Sequence, residues 1–183
     1  VQASVGLIKG IEIKARFLPK MEYEDASIGL YGIGIQHDFT KLLPADKILP
    51  VAISAVIGYT NISGDYDLTN ARLIDGEDQR IEAQINSWVF GGVVSTKLPI
   101  INFYGGVNYI TGKSVTDVLG TYRVTSGPFA SETYTDPFSI TKKVSGVTGT
   151  VGTKLKLGFF RLNAEYNLGE FNTATVGINF GFR

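Results

Sequence analysis

Eight charged residues stand in the middle of alternating segments, where a side chain's spacing decides what it can do: Glu12, Lys14, Arg16, Arg80, Glu82, Lys154, Arg161 and Glu165. Glu12, Lys14 and Arg16 interleave with Ile11, Ile13, Ala15 and Phe17, and Arg161 and Glu165 interleave with Phe160, Leu162, Ala164 and Tyr166. In a strand, successive side chains point to opposite faces. The eight charges are therefore expected on one face and the apolar residues on the other. Rings of charge inside a pore set ion selectivity; the plainer alternative is a salt-bridged interior that only fills space. Other chemistry finds less support. His37, the single histidine, precedes Asp38, but no serine nucleophile lies at a recognisable spacing, so a polar strand terminus is expected and no enzyme. One histidine and no cysteine are too few for a nitrogen–sulfur metal site, and no cofactor is expected. Asp65, Asp67, Asp75, Glu77 and Asp78 crowd residues 63–78. Oxygen-rich loops can hold Ca²⁺, but the Asp-x-Asp spacing lacks the rest of a calcium-loop pattern, so a solvated acidic loop is expected.

The elements that must carry these residues are strands. About nine alternating segments are legible, over residues 1–8, 11–18, 28–39, 51–62, 78–97, 101–111, 142–157 and 160–168, and from Ala174 to the end. Turns are expected at Lys9-Gly10, Leu98-Pro99, Gly158 and residues 169–172. Longer connections are expected over residues 19–25, 38–50 (with a helical turn near Leu42-Leu43), 63–77 and 113–138, the last with a hairpin near Ser126-Gly127-Pro128. The 183 residues suit one domain, 1–183. Lys+Arg and Asp+Glu both number 17, so no global field attracts nucleic acid. No apolar run reaches the ~20 residues of a membrane-crossing helix. Alternating strands cross membranes without such a run, and the mean hydropathy of +0.11 fits them.

Three features favour a membrane barrel over a soluble one. The segments are about ten residues long, aromatics (Phe17, Tyr59, Phe103, Tyr109, Phe160, Tyr166) sit near their ends, and the last segment carries Phe180 and Phe182, the kind of terminal aromatic strand that the barrel assembly machinery of Gram-negative outer membranes recognises. A cation facing lipid at the midplane costs about 2–4 kcal/mol, so the eight charges are expected to line the lumen. A soluble lipocalin-like barrel would invert the faces. The fold expected is an all-β, antiparallel up-and-down transmembrane β-barrel. Nine strands would bring first and last together in parallel, whereas bacterial single-chain barrels have even numbers, so further upstream strands are expected. Gly32, Gly34, Gly92, Gly106, Gly152 and Gly177 are expected inward, leaving room for bulky neighbours or a cavity.

The runs GLIKGIEIKARFLP, YGIGIQHDFTKLLP, LPVAISAVIGYT and AEYNLGEFNTATVGINFGFR resemble a family of uncharacterised outer-membrane barrels, similar in turn to the long-chain fatty acid transporter (FadL-like) superfamily. The resemblance covers most of the chain outside residues 63–77 and 113–138. It implies an outer-membrane location, outer-membrane lipid, lipopolysaccharide and the assembly machinery as partners, and a barrel of more than nine strands. Passage of small, hydrophobic molecules is implied only through the distant transporters, an analogy of fold. The alternative is a structural or partner-binding barrel. Lumen polarity separates the two, and the expected charged interior counts against a hydrophobic path.

Overall fold

The computed structural model describes residues 1–44, 49–68, 75–123 and 132–181. They form ten β-strands and two 3-10 turns, Ile8–Gly10 and Phe39–Leu42, with no α-helix among the described residues. The strands are β1 (Gln2–Gly6), β2 (Ile11–Tyr23), β3 (Ala26–Asp38), β4 (Val51–Asp67), β5 (Asp75–Thr96), β6 (Ile101–Arg123), β7 (Thr133–Thr135), β8 (Phe138–Leu157), β9 (Phe160–Leu168) and β10 (Thr173–Phe180). All pair antiparallel in the order β1-β2-β3-β4-β5-β6-β8-β9-β10, with β7 beside β6. This is the expected all-β up-and-down meander of nine strands, plus β7. Thr135 pairs with Thr121 and Phe138 with Val118, so β7 and β8 run as one strand broken at Asp136-Pro137. Among the described residues β1 and β10 do not pair with each other, and the sheet is open between them.

The strands are longer than the alternation suggests. β2 runs on to Tyr23 and leaves only Glu24-Asp25 as a turn; β4 reaches Asp67 and β6 reaches Arg123. Residues 113–123, expected as loop, pair instead with β5 and β8. Their Ser, Thr and Asp alternate with Val115, Val118 and Leu119, enough to pair as strand though not to look like one. Pro19 lacks an N–H, and the β2–β3 ladder accommodates it with a bulge between Leu18 and Met21. A second bulge between Glu77 and Arg80 faces Gly120, whose φ of +107° and 2.5 Å approach to the Asp78 carbonyl oxygen (for an added Cβ) admit only glycine. The helical turn expected near Leu42-Leu43 is the turn Phe39–Leu42, where the Asp38 carboxylate accepts from the Thr40 N–H at 3.0 Å. Ser126-Gly127-Pro128 and Phe182 lie outside the described residues.

The two faces of the sheet are buried unequally. Glu12 and Lys14 on β2 and Lys154 on β8 are half-buried, whereas Ile11, Ile13 and Val151 beside them on the same strands are exposed. A flat sheet would bare both faces alike, so the sheet curls: the face carrying Glu12, Lys14 and Lys154 is concave, and the face carrying Ile11 and Ile13 is convex. The turns at Lys9-Gly10, Phe39–Leu42, 97–100 and Gly158 mark one end (the turn end), and the turn at Glu24-Asp25 with the strand ends at Asp67, Asp75, Arg123 and Thr133 marks the other (the loop end).

Candidate functional site

Directly paired residues share a face, so the register assigns every strand-borne side chain to one wall. Toward the turn end the convex wall is apolar. One row reads Val5, Ile13, Ile35, Ile57, Phe90, Tyr109, Val147, from β1 to β8. Val151, Tyr166 and Ala174 carry the same surface onto β9 and β10. These side chains are bare: Ile33 is 67 % exposed, Val107 61 %, Val147 64 % and Val176 79 %. On β4, β5, β6 and β8 the apolar stretches (51–59, 88–96, 101–111 and 145–155) are each about 9–11 residues, the length of a membrane-crossing strand.

The concave wall at this level is polar. Glu12, Lys14, Arg16, Lys154, Arg161 and Glu165 share this face, joined by Lys156 opposite Arg161. A hydrogen-bonded chain crosses β6, β8 and β9. Asn108 Nδ2 donates to Thr150 Oγ1 (3.2 Å), Thr150 Oγ1 donates to Asn167 Oδ1 (2.6 Å), and Asn167 Nδ2 donates to Glu165 Oε1 (3.0 Å). The other Glu165 oxygen accepts from the Tyr104 hydroxyl at 3.0 Å. Glu165 thus belongs to this chain rather than to a pair with Arg161. The Tyr104 ring lies over Gly152, where an added Cβ would be 2.4 Å from Cζ, so this glycine makes room for a bulky neighbour. Lys14 Nζ donates to Gln36 Oε1 at 2.6 Å. The cations Lys14, Arg16, Lys154, Lys156 and Arg161 outnumber the carboxylates of Glu12 and Glu165 on this surface.

Toward the loop end the two walls exchange character. The convex rows become Asn61, Asn86, Lys113, Lys143 and then Ser27, Asp65, Glu82, Asp117, Ser139. The concave rows become Leu30, Ile62 and Ile85, ending on Ser114 and Lys142, and farther on Ala26, Tyr66, Ile81, Val118, Phe138. Arg80 and Glu82 are therefore on the convex wall, opposite Glu12, Lys14, Arg16, Lys154, Arg161 and Glu165. The expectation of one shared face for all eight charges fails for these two, because Phe90, Trp88, Asn86, Glu82 and Arg80 have the same parity on β5. Gly92 likewise lies on the convex wall, opposite Ala55, and not with the concave glycines Gly32, Gly34, Gly106, Gly152 and Gly177. The concave wall at the loop end stays open, with Ile28, Ile85 and Ile140 each more than 40 % exposed.

An aromatic cluster marks the change on the convex wall. Tyr59 lies 5.1 Å from Trp88 and 6.4 Å from Tyr31 between ring centroids, and Trp88 stacks on Phe90 at 6.3 Å. Asn86 Oδ1 accepts from both the Tyr59 hydroxyl and Asn61 Nδ2, each at 2.7 Å, tying the cluster to the first polar row. At the turn end Phe160 and Phe180 pack edge to face at 5.7 Å.

The acidic stretch 63–78 is strand on both sides of residues 68–74, and no group of metal-ligating side chains forms among the described residues. Asp65 pairs with Lys20 at 2.6 Å and accepts from Ser27 Oγ at 2.6 Å. The hydrogen bond from Lys20, then that from Ser27, holds the Asp65 carboxyl below its ordinary value, and Lys20 is raised in return. Arg80 pairs with Glu82 at 2.8 Å on the exposed convex surface. His37 packs against Phe39 at 4.8 Å, its buried Nδ1 has no partner among the described residues, and Asp38 turns to Thr40.

No match emerges among curated proteins or solved structures. A family model described as a family of unknown function (DUF6588) matches residues 1–182, and the chain belongs to that family.

Proposed function

We propose that this protein is an outer-membrane β-barrel that passes small hydrophobic or amphipathic molecules. Support for the membrane comes from the convex apolar belt, about as tall as a bilayer's hydrocarbon core, with aromatics at its upper and lower margins and charges on the concave side. A soluble barrel would turn this belt inward. Strands of 22 and 23 residues (β5 and β6) exceed the belt, so their loop-end halves stand in water, where a polar convex surface is expected.

The observation that carries the transport reading is the change along the concave wall. Its loop-end half carries Leu30, Ile62, Ile81, Ile85, Val118 and Phe138, with Ser114 and Lys142 the polar side chains toward β8, and its turn-end half is the Lys154, Lys156 and Arg161 surface. An apolar entrance offers water-excluded surface worth roughly 25 cal/mol per Å² buried. The polar section below it favours a charged or hydrated end. Flux of an uncharged lipophilic dye into vesicles containing the full-length protein tests this. The expected result is flux that falls several-fold when Ile81 and Ile85 are replaced by Asn, with folding intact. Equal flux with and without the protein would leave the structural or partner-binding reading.

A further inference from the structure

We propose that the cross-strand pair Lys113 and Lys143, on the convex wall just above the aromatic row, binds the phosphate of an outer-leaflet lipid whose acyl chains lie against the belt below. The inference rests on the membrane reading of the belt. Lys113 and Lys143 are direct partners in the β6–β8 ladder, and both are exposed. Like charges placed opposite each other in a sheet destabilise it. Among the described residues no compensating acid adjoins them: the next row toward the loop end is Val115 and Thr141, the row below is Thr111 and Ser145, and the lateral neighbour is Asn86. No ion pair among the described residues includes either lysine. The nearest carboxylate on this face of β6 is Asp117, four residues on, at about 13 Å along the strand.

Height selects a lipid over a soluble anion. Asn86, beside Lys113, accepts from Tyr59 in the aromatic row that closes the belt. Aromatic rings of this kind sit at headgroup level, so two ammonium groups one row higher meet phosphate oxygens. Below, on the same face of the same two strands, Gly105 and Gly149 indent the belt between Val94, Val107, Val151 and Leu168, forming a shallow groove of about 400 Å³. It begins some six residues beneath the lysines, about 20 Å, the reach of an acyl chain from its phosphate.

The test uses delipidated full-length protein in micelles and two lipids that differ only by phosphate, phosphatidic acid and diacylglycerol, with retained lipid counted by native mass spectrometry. Wild type should retain phosphatidic acid about ten-fold more strongly than diacylglycerol. Lys113→Gln with Lys143→Gln should abolish that preference, and the double Arg variant should keep it. Lys142→Gln, one residue away but on the concave wall, should change nothing. An unchanged preference in the double Gln variant, or equal retention of the two lipids, overturns the site. Displacement of the lipid by millimolar inorganic phosphate would assign the pair to a free anion and also overturn it. Co-flotation with phosphatidylcholine vesicles separates the two readings. A protein that floats but shows no preference loses only the lysine site; one that does not float loses the membrane belt as well.

Discussion

Single residues carry the first consequences. Glu165 lines the concave surface in a hydrogen-bonded chain, whereas Glu82 stands on the convex wall beside Arg80. If the barrel conducts, Glu165→Lys should shift selectivity further toward anions in planar bilayers, and Glu82→Lys should leave it unchanged. Equal shifts would contradict the face assignment. Asp65 gives a pH signature outside the belt. Its folded-state pKa is depressed below 3.8 by Lys20 and Ser27, so its contribution to stability is complete above the unfolded value and is lost as pH falls through the folded one. Wild type should therefore lose more stability than Asp65→Asn between about pH 4 and 2, by denaturant titration. Much of this scale was legible from the sequence: six of the eight charged residues lie on one face as their alternation implies. Arg80 and Glu82 do not, and the signal was present, since Trp88 and Phe90 share their parity. What misled was assuming that one face keeps one polarity along a whole strand.

At the scale of elements, polarity reverses within single strands. On β6, Val107 and Val115 share the convex face but lie on either side of the aromatic row. With the belt in lipid, as proposed, an Arg at Val107 would meet hydrocarbon and cost about 2–4 kcal/mol, while an Arg at Val115 would meet water. Val107→Arg should block assembly and Val115→Arg should be tolerated, as read by heat-modifiable gel migration; the same contrast is expected between Val176→Arg and Thr175→Arg on β10. The element count and most turns were legible because period-two alternation is strong within the belt. Strand ends were not. Beyond the belt neither face is uniformly apolar, so residues 113–123 pair as strand while composed like a loop.

For the molecule as a whole, the open sheet between β1 and β10 is an exposed pairing template. The 183-residue chain should associate through those edges, and sizing in micelles should show oligomers. A protease-resistant monomer would mean that the edges close on each other. The antiparallel meander was legible in the sequence. The two-toned interior was not, because it emerges only when the register aligns Ile62 with Ile85 and Lys154 with Asn163 across several strands. The central claim is that the convex belt sits in lipid with the aromatic row at its margin, and Trp88, the single tryptophan of the chain, reports on it directly. With full-length protein in vesicles and Trp88→Phe as the blank, Trp88 emission should be quenched by lipids brominated near the headgroup more than by lipids brominated at the chain ends, and only weakly by aqueous iodide. Strong iodide quenching with no response to brominated lipid would contradict the account.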